Sequence, residues 1–295
     1  MKLVSSMVNG HPQWFLRTER GDYSGHGLKR SLGLDLEPGD LTSALAMTQG
    51  FLETLKEAET RVLERGVEPD DSDLTLLSPV PRPGKVICVG LNYRPHVAES
   101  QMDVPKTPVL FNKYQNAVVG PNTVVNPPRD ATQLDYEAEL VVVIGKSASK
   151  VSEDAALDYV FGYLNGNDLS DRGLQFRQSQ WLLGKTADGF APMGPYLVTK
   201  EEISDPGGLD ISCKRNGVEV QRANTSEMIF SVPFLIHYIS QYISLSPGDV
   251  IFTGTPEGVI LGQPEDKRRW LEPGERLEVT VTGLGSLETM IGSAR

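Results

Sequence analysis

No stretch of this chain approaches the roughly 18 consecutive apolar residues that a membrane-spanning helix needs, and the N-terminal MKLVSSMVNG lacks the apolar centre of a secretion signal. Cysteine is nearly absent. Cys88 and Cys213 are too few for a disulfide framework or a cysteine-rich zinc site, and both read as reduced structural residues. Basic residues are also scarce: 28 Lys and Arg stand against 39 Asp and Glu, a formal net charge of -11. That balance argues against a nucleic-acid or anionic-membrane partner, because phosphate surfaces are bound mainly by clustered cations. Any anionic ligand must be met by a local cation. The expectation is a cytoplasmic protein without nucleic-acid or membrane partners.

What is present suits a globular enzyme. At 295 residues and 39% hydrophobic content the chain can bury a sizeable core, as one large or two unequal domains. Short strands are expected around Trp14 to Leu16 and Gly21. A helical stretch follows from Leu41 to Leu63, interrupted by Gly50 and ended by Gly66. The acidic DDSD beginning at Asp70, then Pro79, Pro81 and Pro83, suits an extended linker. These features predict a small α+β N-terminal domain over residues 1–78 and a second domain over 79–295. The second part is β-rich, with runs such as KVICVG, ELVVVIG, DVIFTG and ERLEVTVTGLG punctuated by Gly, Asn-Gly and Pro-Gly. A barrel or stacked sheets fit better than a doubly wound fold. Two helices are expected there: SEDAALDYVFGY, capped by Ser152, and a helix opened by Pro233 whose stripe includes Phe234, Leu235, Tyr238, Ile239, Tyr242 and Ile243.

Glu137 and Glu139 stand two apart in LDYEAELVVVIG, so in a strand both carboxylates leave one face. An exposed acidic face is one reading. The uninterrupted VVVIG that follows suggests a strand covered on both sides, where paired carboxylates repel and a hard cation with oxygen ligands resolves the cost. Asp168, in GYLNGNDLSDR, is either a cap or Asx-turn residue or a third ligand. Three carboxylates without His or Cys beside them suit Mg2+ or Mn2+ rather than zinc. His96 and Glu99 are three apart, close enough to meet on one helical turn. There the carboxylate orients the imidazole as a general base, the plain alternative being a surface His with a capping Glu. Lys185 is either a solvated lysine or the cation for a substrate carboxylate or oxyanion. Thr253 to Thr255 form a strand-to-turn corner with hydroxyls and backbone donors, or simply a tight turn.

Taken in order, NYRPH with Glu99, DYEAEL, NDLSDR, GKTADGFAPMGP, the Asn216-Gly turn, TSEMIFSVP and GDVIFTGTPEGV resemble the fumarylacetoacetate hydrolase family over about Leu76 to Gly285. The resemblance implies an α+β, β-rich fold, a mixed β-sandwich roll or barrel, assembled as a homodimer. It also implies an Mg2+ or Mn2+ site on Glu137, Glu139 and Asp168, with His96 and Glu99 as the water-activating pair. Lys185 would be the cation at the reacting carbonyl, and Thr255 a contact to the substrate carboxylate; Arg94 could read a second anionic group. The first segment looks like the N-terminal extension of longer bacterial members. Two departures stand out: Pro95 precedes His96 where Asp is common, and Asp171 replaces a small residue. The implied reaction is hydrolysis of a C–C bond in a 2-oxo acid of acylpyruvate type. Decarboxylation of an oxaloacetate-type acid and isomerisation of an unsaturated dioate are chemical alternatives, and a non-catalytic metal-binding protein is the rival outside enzymology.

Overall fold

The structure is a computed structural model that describes residues 1–47, 50–70, 74–100 and 102–295. Residues 71–73 of the expected acidic linker therefore lie outside the described residues; the Asp70 carboxylate accepts from Ser24 N at 2.6 Å. An eleven-stranded mixed sheet forms the body, and its main path runs Gly21–Ser24, His11–Thr18, Lys2–Val8, Ala191–Thr199, Val160–Asn167, Ala138–Ile144, Val250–Phe252, Val86–Gly90 and Val109–Lys113. Leu76–Leu77 and Val118–Val119 pair to it from the side. A second, five-stranded sheet runs Val218–Asn224, Asp210–Arg215, Arg276–Val281, Ser286–Ile291 and Thr123–Val125. The fold is thus mixed α+β and sheet-rich.

The strands of the first 78 residues share this hydrogen-bonded sheet, joined where Lys2 and Leu3 pair with Val198 and Leu197. The expected helical stretch there is split into Leu41–Met47 and Phe51–Glu64, with Gly50 at φ 66° beside the break. That left-handed backbone is strained for residues carrying a Cβ, so glycine suits it. The helix Phe51–Glu64 buries Phe51, Leu55, Ala58 and Val62, which recur at helical spacing and give it one apolar face.

Ala138–Ile144 is buried along its whole length, Glu139 included, as the unbroken apolar run after Glu139 predicts for a central strand. Its neighbour corrects the sequence reading. The expected helix from Ser152 is only a 3-10 turn, Glu153–Tyr159, in which the Ser152 side chain makes no cap bond, and Val160–Asn167 is a strand. Pairing with Ala138–Ile144 on one side and Ala191–Thr199 on the other satisfies its backbone and overrides local helical pattern. The helix Val232–Tyr242 does form, with Ser231 accepting from Phe234 N. Its buried face, however, includes Val232, Leu235, Ile236 and Ile239; outside it Phe234 stacks on Tyr238, which meets Tyr242 edge-on.

Asn165 ties the two sheets together. From Val160–Asn167 its amide donates to the carbonyls of Gly194, Leu284 and Gly285, while its oxygen accepts from Val281 N at 2.7 Å. Asn165→Ala leaves these buried groups without partners and is expected to cost about 3 kcal/mol, read as a lower urea midpoint at unchanged slope. A loss below about 1 kcal/mol would show that water replaces the amide and that the bridge is not needed.

Candidate active site

The central strand delivers the carboxylates. Glu137 immediately precedes Ala138–Ile144 and Glu139 is its second residue; Asp168 directly follows Val160–Asn167. Antiparallel register sets Ala138 opposite Asn167, and Asp168 N donates to Glu137 O at 2.9 Å, so residues 31 positions apart in sequence meet at one strand end. One carboxylate oxygen from each of Glu137, Glu139 and Asp168 lies within 4.8 Å of the others, and all three residues are buried.

The three acids are not equally compensated. Glu137 takes an N–H from Arg172 at 2.6 Å and one from Lys185 at 2.6 Å. Burial pushes its pKa up, but the facing Arg172 and Lys185 outweigh this and hold it well below the usual carboxylate range. Asp168 receives Lys185 at 2.8 Å on one oxygen. Its other oxygen lies 2.6 Å from the Lys113 ammonium, yet that ammonium's hydrogens go to the carbonyls of Leu169, Lys185 and Phe190. Glu139 has one donor, Gly254 N at 2.7 Å, and no ion pair among the described residues. Burial, then the neighbouring Asp168 and Glu137, push its pKa well above the ordinary value. A buried carboxylate repelled by two others and lacking a counter-charge is the donor set into which a hard divalent cation fits.

Gly254 makes this geometry possible. It sits at φ 101°, and a Cβ there would meet Asn92 Cβ at 2.7 Å, so the turn that points its N–H at Glu139 requires glycine. The neighbouring Thr253 hydroxyl donates to Leu140 O at 2.9 Å and so is not available to a ligand. Thr255 accepts from Gln221 at 2.9 Å and keeps its own hydroxyl hydrogen to give.

Above the carboxylates opens a cavity of about 610 Å³, lined among others by Glu137, Glu139, His96, Glu99, Lys185 and Thr255. The helix Arg94–Glu99 carries the pair expected from sequence. Pro95 is accommodated in its first turn, and His96 Nδ1 lies 2.7 Å from Glu99 Oε1. Glu99 is braced in turn by Gly258 N at 3.0 Å. With Nδ1–H given to the carboxylate, Nε2 is the ring nitrogen left to accept a proton. Lys185 ends the short helix Leu182–Lys185; burial lowers its pKa, and Asp168 and Glu137 more than offset this, so it stays an ammonium. Asp171 spends its carboxylate on Gln133 N and Leu174 N, capping the helix Arg172–Gln175. The structure does not bring Arg94 into the cavity: it is exposed and absent from the lining.

Sequence reasoning missed three buried residues. Arg172 links Asp135 to Glu137, Asp135 also receives Ile260 N and Leu261 N, and Lys113 supports Asp168 from behind. Arg172 stood inside the NDLSDR segment, so a signal existed for it. Lys113 merely ends an apolar run, which distinguishes it from no surface lysine.

A buried carboxylate triad, two of whose members, Glu137 and Glu139, line a cavity together with an imidazole–carboxylate pair and a buried lysine, is the donor set and acid–base equipment of a metal-assisted enzyme. Comparison with known proteins makes the class specific. The fumarylacetoacetate (FAA) hydrolase C-terminal family matches residues 85–292, and the chain belongs to the fumarylacetoacetate hydrolase family of enzymes. It is similar to oxaloacetate tautomerase YisK of Bacillus subtilis (strain 168), 38% identical over 278 residues, 90% of each chain. Its fold is similar to that of fumarylacetoacetate hydrolase from Exiguobacterium antarcticum, with TM-score 0.79, 30% identity and 100% of both chains covered. It is also similar to fumarylpyruvate hydrolase from Pseudomonas aeruginosa, solved with Mn2+ and pyruvate, with TM-score 0.65 and 34% identity over 71% of this chain and 89% of that one. Among the described residues no helix is long and apolar enough to cross a membrane.

Proposed function

We propose that this enzyme interconverts the keto and enol forms of oxaloacetate or a closely related 2-oxo acid, with Mg2+ or Mn2+ held by Glu137, Glu139 and Asp168. The observation that carries this reading is the meeting, in one cavity, of the His96–Glu99 pair with Glu137 and Glu139, the two carboxylates that Asp168 joins behind its wall to form the buried triad. The similarity to oxaloacetate tautomerase YisK across 90% of the chain supports the substrate class. A divalent ion there supplies Lewis acidity toward a 2-oxo acid's carboxylate and carbonyl oxygens and stabilises negative charge developing on oxygen. The remaining work falls to side chains. His96, its Nδ1 held by Glu99, takes the proton from C3 on Nε2 and returns a proton to the 2-oxygen, so the two forms exchange without net proton change. Lys185 favours the ionised forms of Glu137 and Asp168, against the burial that pushes the Asp168 pKa up, and adds positive charge beside the reacting oxygen. Thr255 offers its hydroxyl hydrogen to the substrate carboxylate.

Hydrolysis is the second reading, supported by the similarity to the P. aeruginosa fumarylpyruvate hydrolase. The same His96 would take its proton from water, the hydroxide would attack a distal ketone, and Lys185 would steady the oxyanion as the C–C bond breaks into a carboxylic acid and a 2-oxo acid. One panel separates the readings. Mg2+-loaded protein in deuterium oxide is expected to exchange C3 hydrogens of oxaloacetate far faster than buffer, without releasing CO2, and to lose this rate in chelator. Cleavage of acylpyruvates with no acceleration of exchange would favour the hydrolase, and CO2 release the decarboxylase.

A further inference from the structure

We propose that Arg268 is a specificity-determining residue that reads a second carboxylate, so that the cavity prefers 2-oxo dicarboxylates to 2-oxo monocarboxylates; this rests on the 2-oxo acid reading above. Four cationic or potentially cationic side chains line the cavity: His96, Arg172, Lys185 and Arg268. Three are already engaged. His96 pairs with Glu99, Arg172 gives its N–H groups to Asp135, Gln175 and Glu137, and Lys185 is shared by Glu137 and Asp168. Arg268 differs. Among the described residues its side chain makes one hydrogen bond, Nε to Gln263 O at 3.0 Å, and no ion pair. Both terminal nitrogens are left open, although Glu265 lines the same wall.

The guanidinium is also held in place. Its Nε bond closes a loop that is anchored at both ends, by Ile260 N and Leu261 N on the Asp135 carboxylate and by Leu271 N on Leu134 O at 2.9 Å. Gly258 N, at the start of the same loop, donates to Glu99. The loop that carries Arg268 is therefore tied to the carboxylate that orients Arg172 and to the one that orients His96. A substrate's first carboxylate belongs at the triad, where the buried lysine and arginine are saturated by protein acids. A second carboxylate must find its own cation, and a braced guanidinium with two free N–H-bearing nitrogens offers a bidentate fork for it. Sequence alone pointed to Arg94 for this task, but that side chain lies outside the cavity.

The test is binding of inert probes to the full-length protein loaded with Mn2+: 2-oxoglutarate and 2-oxoadipate against the chain-length-matched 2-oxovalerate and 2-oxohexanoate, by calorimetry. The wild type is expected to bind at least one dicarboxylate about ten-fold or more tightly than its matched monocarboxylate. Arg268→Gln should erase that preference by weakening the dicarboxylate, with monocarboxylate affinity moving less than about two-fold, and Arg268→Lys should restore part of it. Equal binding of both series by the wild type, or an equal loss of both in Arg268→Gln, overturns the assignment while leaving the 2-oxo acid reading intact. Binding of neither series overturns that reading and the assignment with it.

Discussion

Glu139→Gln is expected to abolish metal binding and to lower turnover by about a thousand-fold or more, since a bound ion supplies several kcal/mol of charge stabilisation. Glutamine keeps the side chain's size, and its carbonyl oxygen can still accept from Gly254 N. What is lost is the charge. Glu139 has no counter-cation of its own among the described residues and is repelled by Asp168 and Glu137. Neutralising it should therefore leave the metal-free protein as stable as the wild type or more so. Thermal unfolding with and without Mg2+ or Mn2+ reads both effects: the wild type gains stability from the ion by mass action, and the variant does not. Full turnover of Glu139→Gln in the presence of chelator would sink the metal assignment.

His96→Ala separates the second half of the site from the first. His96 lines the cavity and is paired with Glu99, and among the described residues no hydrogen bond or ion pair joins it to the triad, so metal affinity should stay within a few-fold of wild type. Turnover should fall by about a thousand-fold, the middle of the range that a positioned general base contributes. Deuterium exchange at C3 of oxaloacetate is the sensitive readout, because it reports proton transfer irrespective of what later happens to the carbon chain. Unchanged exchange would remove His96 from the reaction. Unchanged exchange together with lost acylpyruvate cleavage would move it to water activation alone.

Much of this site is written in local spacing. Two residues in an extended segment share a face, and three on a helical turn share an edge, so Glu137 with Glu139 and His96 with Glu99 can be paired before any tertiary contact is known. The apolar run after Glu139 likewise announces a strand covered on both sides, because such a run has no polar face to offer water. Ordered motifs carried the family for the same reason: each is a short segment whose residues act together.

Local pattern failed where long-range pairing decided the outcome. Val160 to Tyr163 read as the end of a helix and the residues after them as a turn, yet two neighbouring strands claim the backbone hydrogen bonds of Val160–Asn167, and this makes Asp168 the residue at a strand end rather than a turn after a helix. The aromatic side chains of Val232–Tyr242 belong to the apolar stripe by composition but face outward, since the packing surface lies on Leu235, Ile236 and Ile239. Arg94 stands two positions before His96 in sequence, but residues two apart on a helix leave it in different directions, so one enters the cavity and the other meets solvent.

By itself, then, the sequence determined the acidic pair, the His–Glu pair, the β-rich fold and the family, all of which depend on residues within a few positions of one another or on their order. The resemblance already implied Asp168 as the third carboxylate; only the tertiary structure decided how strand register brings it to the other two, that Arg172, Asp135 and Lys113 support the group, and that Arg268 rather than Arg94 faces the cavity. These depend on strand register and loop anchoring between residues tens of positions apart, and on burial, which turns an ordinary charged side chain into one that must find a partner.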